Sequence, residues 1–207
     1  MRLTYLIIAS LAAGMGLAVT SCSHKDKFIG TWTALMQTDI TAQVPAASTA
    51  SLITTLQFMP AGADNAPGTA CLSGIIDITQ PVNPSYGSFD QPYEVSIAAT
   101  ASVCGTWHYK GDDDDDLLLS LDLKSINVSV DPAGVTYTEN ILTGKQQPQL
   151  DSLTAATASQ WKSILVTAMR KEFARYNVID DIDVNRDGIL SLEIKSPDTE
   201  LHFRRSE

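Results

Sequence analysis

From Phe28 onward, apolar and polar residues alternate in short runs broken by Pro, Gly, Asn and Asp, the pattern of antiparallel strands with one buried face. The runs predict strands over Gly30 to Ile40, Ser51 to Met59, Thr69 to Thr79, Tyr93 to Ala101, Val103 to Tyr109, Leu117 to Ser125, Asn127 to Asp131 and Val135 to Leu142. Turn residues separate them at Pro60 to Asn65, Pro81 to Pro92 and Asp131 to Gly134, a spacing that suits a meander. One helix is predicted from about Ala155 to Tyr176, because Trp161, Leu165, Met169 and Phe173 recur at intervals of four with Ile164 and Ala168 beside them. Such a stripe must be covered, and packing on the outside of a sheet is the expected cover. Segments 180–185, 189–195 and 200–205 then read as closing strands.

The first residues follow another pattern. Arg2, an uncharged apolar run from Leu3 to Val19 and the small pair Thr20-Ser21 form an export signal. Val19-Thr20-Ser21-Cys22 reads as a lipoprotein cleavage box, so residues 1–21 are expected to be a signal peptide, Cys22 the lipidated residue and 22–27 a hydrophilic tether. A run of this length also suits an uncleaved membrane helix, against which Gly14, Gly16 and the small pair speak. Acyl chains on Cys22 would hold the domain on a membrane durably. The expectation is an outer membrane lipoprotein facing the cell surface or the periplasm.

Setting the signal aside leaves enough chain for one well-buried domain, residues 28–207. The formal charge of −10 disfavours nucleic acid as a partner, since phosphates carry the same sign. Against that acidity, Lys162, Arg170, Lys171 and Arg175 make the remaining surface of the helix basic. Cys71 and Cys104 both fall in strand-like text, so a bridge between neighbouring strands and two buried thiols are both open.

Phe28-Ile29-Gly30-Thr31-Trp32 opens the domain with a G-x-W start that resembles the first strand of lipocalins and related calycin barrels. Phe58-Met59-Pro60-Ala61-Gly62 is similar to the F-x-P-x-G hairpin of small bacterial lipocalin-like lipoproteins, and the charged residues after Cys22 resemble the tags of Bacteroidetes surface lipoproteins. The resemblance implies a mainly β fold: an antiparallel up-and-down barrel with one amphipathic helix before the closing strands. It also implies that a basic residue near the end covers Trp32. Leu201, Phe203 and Arg205 share one face of their strand, so Arg205 is the expected cover. A second Gly-Thr-Trp stands at residues 105–107.

Two segments carry candidate metal chemistry. Asp183-Val184-Asn185-Arg186-Asp187-Gly188 matches the first half of a calcium loop, with Asp183, Asn185 and Asp187 as ligands. The twelfth position is Ile194 rather than Glu, and a hairpin turning on Asp187-Gly188 explains the same text. Asp112 to Asp116 read as a solvated hairpin tip, with weak divalent-cation capture as the other reading. Three histidines, at 24, 108 and 202, fall in no recognised catalytic motif, so no enzyme activity and no cofactor beyond calcium are expected.

The expected role is binding a small apolar ligand or a protein partner in the cell envelope. Tyr86, Phe89 and Tyr93, in and beside the Pro81 to Pro92 loop, are the expected mouth, opposite the Trp32 and Arg205 plug. The rival is a structural or adhesive module with no cavity, stabilised by calcium if the Asp183 loop binds it.

Overall fold

The computed structural model describes residues 27–61, 66–82, 92–110, 116–138, 147–195 and 198–206. The predicted signal, Cys22, Tyr86, Phe89 and Asp112 to Asp115 lie outside the described residues. The strands are β1 (Gly30–Ala34), β2 (Thr38–Asp39), β3 (Thr49–Met59), β4 (Gly68–Val82), β5 (Tyr93–Tyr109), β6 (Leu117–Leu121), β7 (Asn127–Tyr137), β8 (Val178–Val184), β9 (Ile189–Lys195) and β10 (Asp198–Arg205). One helix, α1 (Gln147–Ala174), ends in a 3-10 turn at Arg175–Asn177.

Eight strands close an antiparallel ring in the order β1-β3-β4-β5-β6-β8-β9-β10, with β10 returning to β1. Ring neighbours follow chain order because hairpins join most of them, which makes this an up-and-down barrel. The small β2 runs beside β3, and β7 runs beside β5. Alternation places Leu52, Leu56, Leu72, Ile76, Ile97 and Val103 inward, where they are buried with the inner residues of the other strands in one core.

Several predicted boundaries differ: β4 runs on to Val82 and β6 stops at Leu121, and four more differ for local reasons. Ser102 does not interrupt β5, since it pairs outward with Ser73 while Val95 through Trp107 keep the same inward parity. Asp131 to Gly134 is a bulge within β7: Ala99 pairs with Val130 and Ile97 with Val135, so four residues lie opposite Ala98 and the inward parity switches from even to odd. The predicted strand from Gly30 to Ile40 breaks where Leu35, Met36 and Gln37 bow outward from β3, between the pairs Thr33↔Thr55 and Thr38↔Leu52. The helix begins at Gln147, before its apolar stripe starts.

The helix lies on the core-facing side of the sheet, not outside it. Its Trp161, Leu165, Met169 and Phe173 are buried in the same core as the inward strand residues. Polar contacts locate it independently. Trp161 donates to Gln80 Oε1 at 3.2 Å and the hydroxyls of Thr157 and Tyr137 lie 3.0 Å apart. Gln80 and Tyr137 have the parity of buried Ile78 and Val135, so both belong to the inner face. The outer face does not receive the stripe: Ser73, Ile75, Asp77 and Thr100 are all exposed there.

Candidate functional site

The base of the barrel is an aromatic plug. Trp32 pairs in register with Arg205, whose guanidinium carbon stands 4.7 Å from the indole centroid. Arg205 Nη2 also donates to the carbonyls of Lys27 and Ile29, at 3.0 and 3.1 Å, which ties the start of the domain to its last strand. Trp32 donates its own N–H to Phe28 O. Gly30 explains the glycine of the motif: its φ of 140° suits glycine, and a Cβ there would meet the Arg205 guanidinium at 3.4 Å. The second G-x-W adds to the same plug. Trp107 packs edge-on against Phe28 at 5.0 Å and donates to Met59 O, and its ring covers Gly68, where any side chain would collide with it. The sequence reading did not assign a role to Phe28 or Trp107. Both are apolar residues of a kind found in any core, and only the ring geometry brings them together.

Above the plug the apolar face of α1 joins the core, while Lys162, Thr167, Arg170 and Lys171 on its other face are exposed. Leu165, Met169 and Phe173 are fully buried, and Tyr176 from the following turn is 1% exposed. Burial, reinforced by the charge of Glu172, pushes the Tyr176 phenol up to about 12, while Thr54 and Arg175 oppose the shift. Glu172 is itself buried, with one carboxylate oxygen accepting from Arg175 Nη1 at 2.6 Å and the other from Gln43 Nε2 at 3.3 Å. Arg175, counted among the basic surface residues of the helix, is thus half-buried and engaged. This pair is structural: it lets the C-terminal turn of the helix enter the core without an unpaired carboxylate.

Cys71 and Cys104 are directly opposed on β4 and β5, with Cα atoms 4.0 Å apart, and form a disulfide on the outer face. Of the predicted mouth residues only Tyr93 is described. It is partly buried and its ring lies 6.2 Å from that of Tyr137, as part of the packed sheet.

The Asp183 to Gly188 segment is the β8–β9 turn. Asn185 Oδ1 accepts the N–H groups of Asp187 and Ile189, at 2.9 and 3.0 Å, and Gly188 takes a φ of 72°. The oxygen a calcium ion would need from Asn185 is therefore turned into the hairpin, and no group of three metal-ligating side chains forms among the described residues. Asp116, the one described residue of the acidic run, pairs with Lys110 at 3.2 Å.

Among the described residues, one cavity that opens to solvent is a groove of about 240 Å³ in the barrel wall. Residues 34–36 and Thr38 form one bank, residues 200–203 the other, and Tyr176 lies at its floor. It exists because β1 turns away from β10 at Leu35 and Met36, which stand 45% and 80% exposed. Nearby, on the outer face, Ser191 Oγ lies 3.0 Å from His202 Nδ1, and His202 Nε2 lies 3.9 Å from Glu200 Oε1. These are the groups of a nucleophile and base; Glu200 and His202 line the groove, and Ser191 is not among its lining residues. Compared with known protein families and with curated proteins, the chain matches none.

Proposed function

We propose that this chain is a non-catalytic, lipid-anchored interaction module of the cell envelope, similar to lipocalin-like lipoproteins in its barrel but using its outer wall rather than a central cavity. The observation that carries this reading is the placement of α1. In a ligand-carrying barrel the inner face must line an empty volume. Here Trp161, Leu165, Met169 and Phe173 fill the space where an apolar guest would sit. The filled barrel serves as a rigid frame, anchored through Cys22 and presenting loops and strand edges to a partner in the outer membrane, at the surface or the periplasmic side.

Native mass spectrometry of protein extracted gently from membranes tests it. The expected result is a polypeptide mass carrying acyl groups on Cys22 and no retained guest. A co-purified lipid or hydrophobic metabolite would instead favour a carrier. The groove supports that second reading on one count, since its lining is mainly apolar, although about 240 Å³ falls below the roughly 300–1,000 Å³ usual for small-molecule sites.

A further inference from the structure

We propose that the slit between β2 and β10 is a docking slot for an extended peptide, which adds as a strand, places one apolar side chain in the groove and meets the acidic rim with basic residues. This rests on the reading of the barrel as an outer-wall interaction module and names its class of partner.

The backbone specifies the strand. β1 and β10 pair at Thr33↔Arg204, and the Leu35 N–H donates to the His202 carbonyl at 2.9 Å. Along β10 the even-numbered residues therefore aim their N–H and C=O toward β1, and the odd-numbered ones toward β9. The next even residue is Glu200, and by then the chain of β1 has bowed away. Its backbone groups have no strand partner on that side among the described residues. On the other bank, β2 pairs with β3 along one edge, at Thr38↔Leu52 and Asp39↔Ser51, and with no strand along the other. Two strand edges thus flank an apolar groove, with Leu35 and Met36 exposed at its lip. Open edges of this kind are completed by another backbone, which supplies donors and acceptors at strand spacing where a small apolar molecule has none.

The charges specify the side chains. Glu193 and Glu200 stand directly opposite each other on the exposed face of β9 and β10. Like charges so placed oppose folding, and the ring closure does not require them. Asp198 and Asp180 crowd the same wall, and burial together with these neighbours holds the Glu193 carboxyl above its ordinary range. Asp39 adds a carboxylate on the far bank. Among the cations of this wall, Lys195 is bound to Asp180 and also faces Glu193, His202 Nε2 stands 3.9 Å from Glu200 Oε1, and Arg204 lies farther down β10. A partner rich in Lys or Arg relieves that repulsion.

The test uses the full-length chain in detergent micelles and three labelled heptapeptides: one alternating Lys with Val or Leu, one with Glu in place of Lys, and one basic peptide N-methylated along one edge. Fluorescence anisotropy should show the basic peptide binding at least about tenfold more tightly than the acidic one, with the preference shrinking as salt rises. N-methylation should abolish binding, Glu200→Lys should weaken it, and Lys162→Glu on the exposed helix surface should leave it unchanged. Backbone amide signals of Asp39 and Glu200 should shift on binding. Equal binding of acidic and basic peptides, equal binding of the N-methylated peptide, shifts confined to other surfaces, or no binding at millimolar peptide would each overturn the proposal. A guest molecule retained in native mass spectrometry would overturn the interaction-module reading itself, whereas absence of both guest and peptide binding removes only the strand slot.

Discussion

Replacing Leu165 by Ala removes three carbons from the middle of the stripe that fills the barrel. At about 0.8 kcal/mol per buried carbon the lost transfer energy is about 2.4 kcal/mol. Leu165 is fully buried, and the ring around it is held by hydrogen bonds, so the site collapses little. A residual void of about 60 Å³ at about 24 cal/mol per Å³ adds about 1.4 kcal/mol, for a loss near 4 kcal/mol. In a domain of this size that lowers Tm by roughly 8–16 °C. Thermal melting followed by circular dichroism reads the shift, with exposed Lys162→Ala as a control expected to change stability by less than about 0.5 kcal/mol. Because the void would be enclosed and apolar, millimolar benzene should restore part of the loss, by RT ln(1 + [L]/Kd). A loss below about 1 kcal/mol, or a melt indifferent to benzene, would refute the burial of Leu165 in a closely packed core.

Reducing the Cys71–Cys104 bridge should leave the barrel folded, because the cysteines face outward, but lower its stability by about 2–4 kcal/mol through the freed unfolded chain, as urea titration with and without reductant would show. Arg205→Met should cost about 1–2 kcal/mol and alter the intrinsic fluorescence of Trp32, whose ring loses its cationic cover. Arg175→Met leaves Glu172 buried without its cation and should cost about 3–5 kcal/mol in the same titration. Above pH 10 an unfolded tyrosine ionises while Tyr176 stays neutral to about pH 12, so stability is complete below pH 10 and falls by about 1.4 kcal/mol per pH unit through that window. Burial raises Tyr93 and Tyr137 as well, with the same sign, so Tyr176→Phe should make the slope shallower without abolishing it.

Period-two alternation made most of the strands legible, the resemblance of the Gly30-Thr31-Trp32 start to calycin barrels implied that they close into a ring, and the shared face of Leu201, Phe203 and Arg205 then pointed to the residue that lies over Trp32. The side of the sheet taken by the helix was not legible. A stripe of Trp161, Leu165, Met169 and Phe173 satisfies burial equally well against the outside of a barrel or within it, and only the polar contacts to Gln80 and Tyr137 distinguish the two. Asp131-Pro132-Ala133-Gly134 has turn composition because a bulge uses the same backbone conformations as a turn. Asn185 belongs to the vocabulary of calcium loops and hairpins alike, and the direction of its Oδ1 is a property of the folded chain. The groove was hidden for a different reason: it arises where two strands part, so no local run of residues encodes it.

β1 is paired along both edges, with β3 on one side and β10 on the other, and Arg205 grips the carbonyl of Lys27 just before it. A load arriving from the N-terminal side pulls along the axis of that strand, so two ladders must slide at once instead of opening bond by bond. Mechanical resistance is therefore concentrated at the end of the domain where traction would enter, and the first strand should be the last to tear away under force.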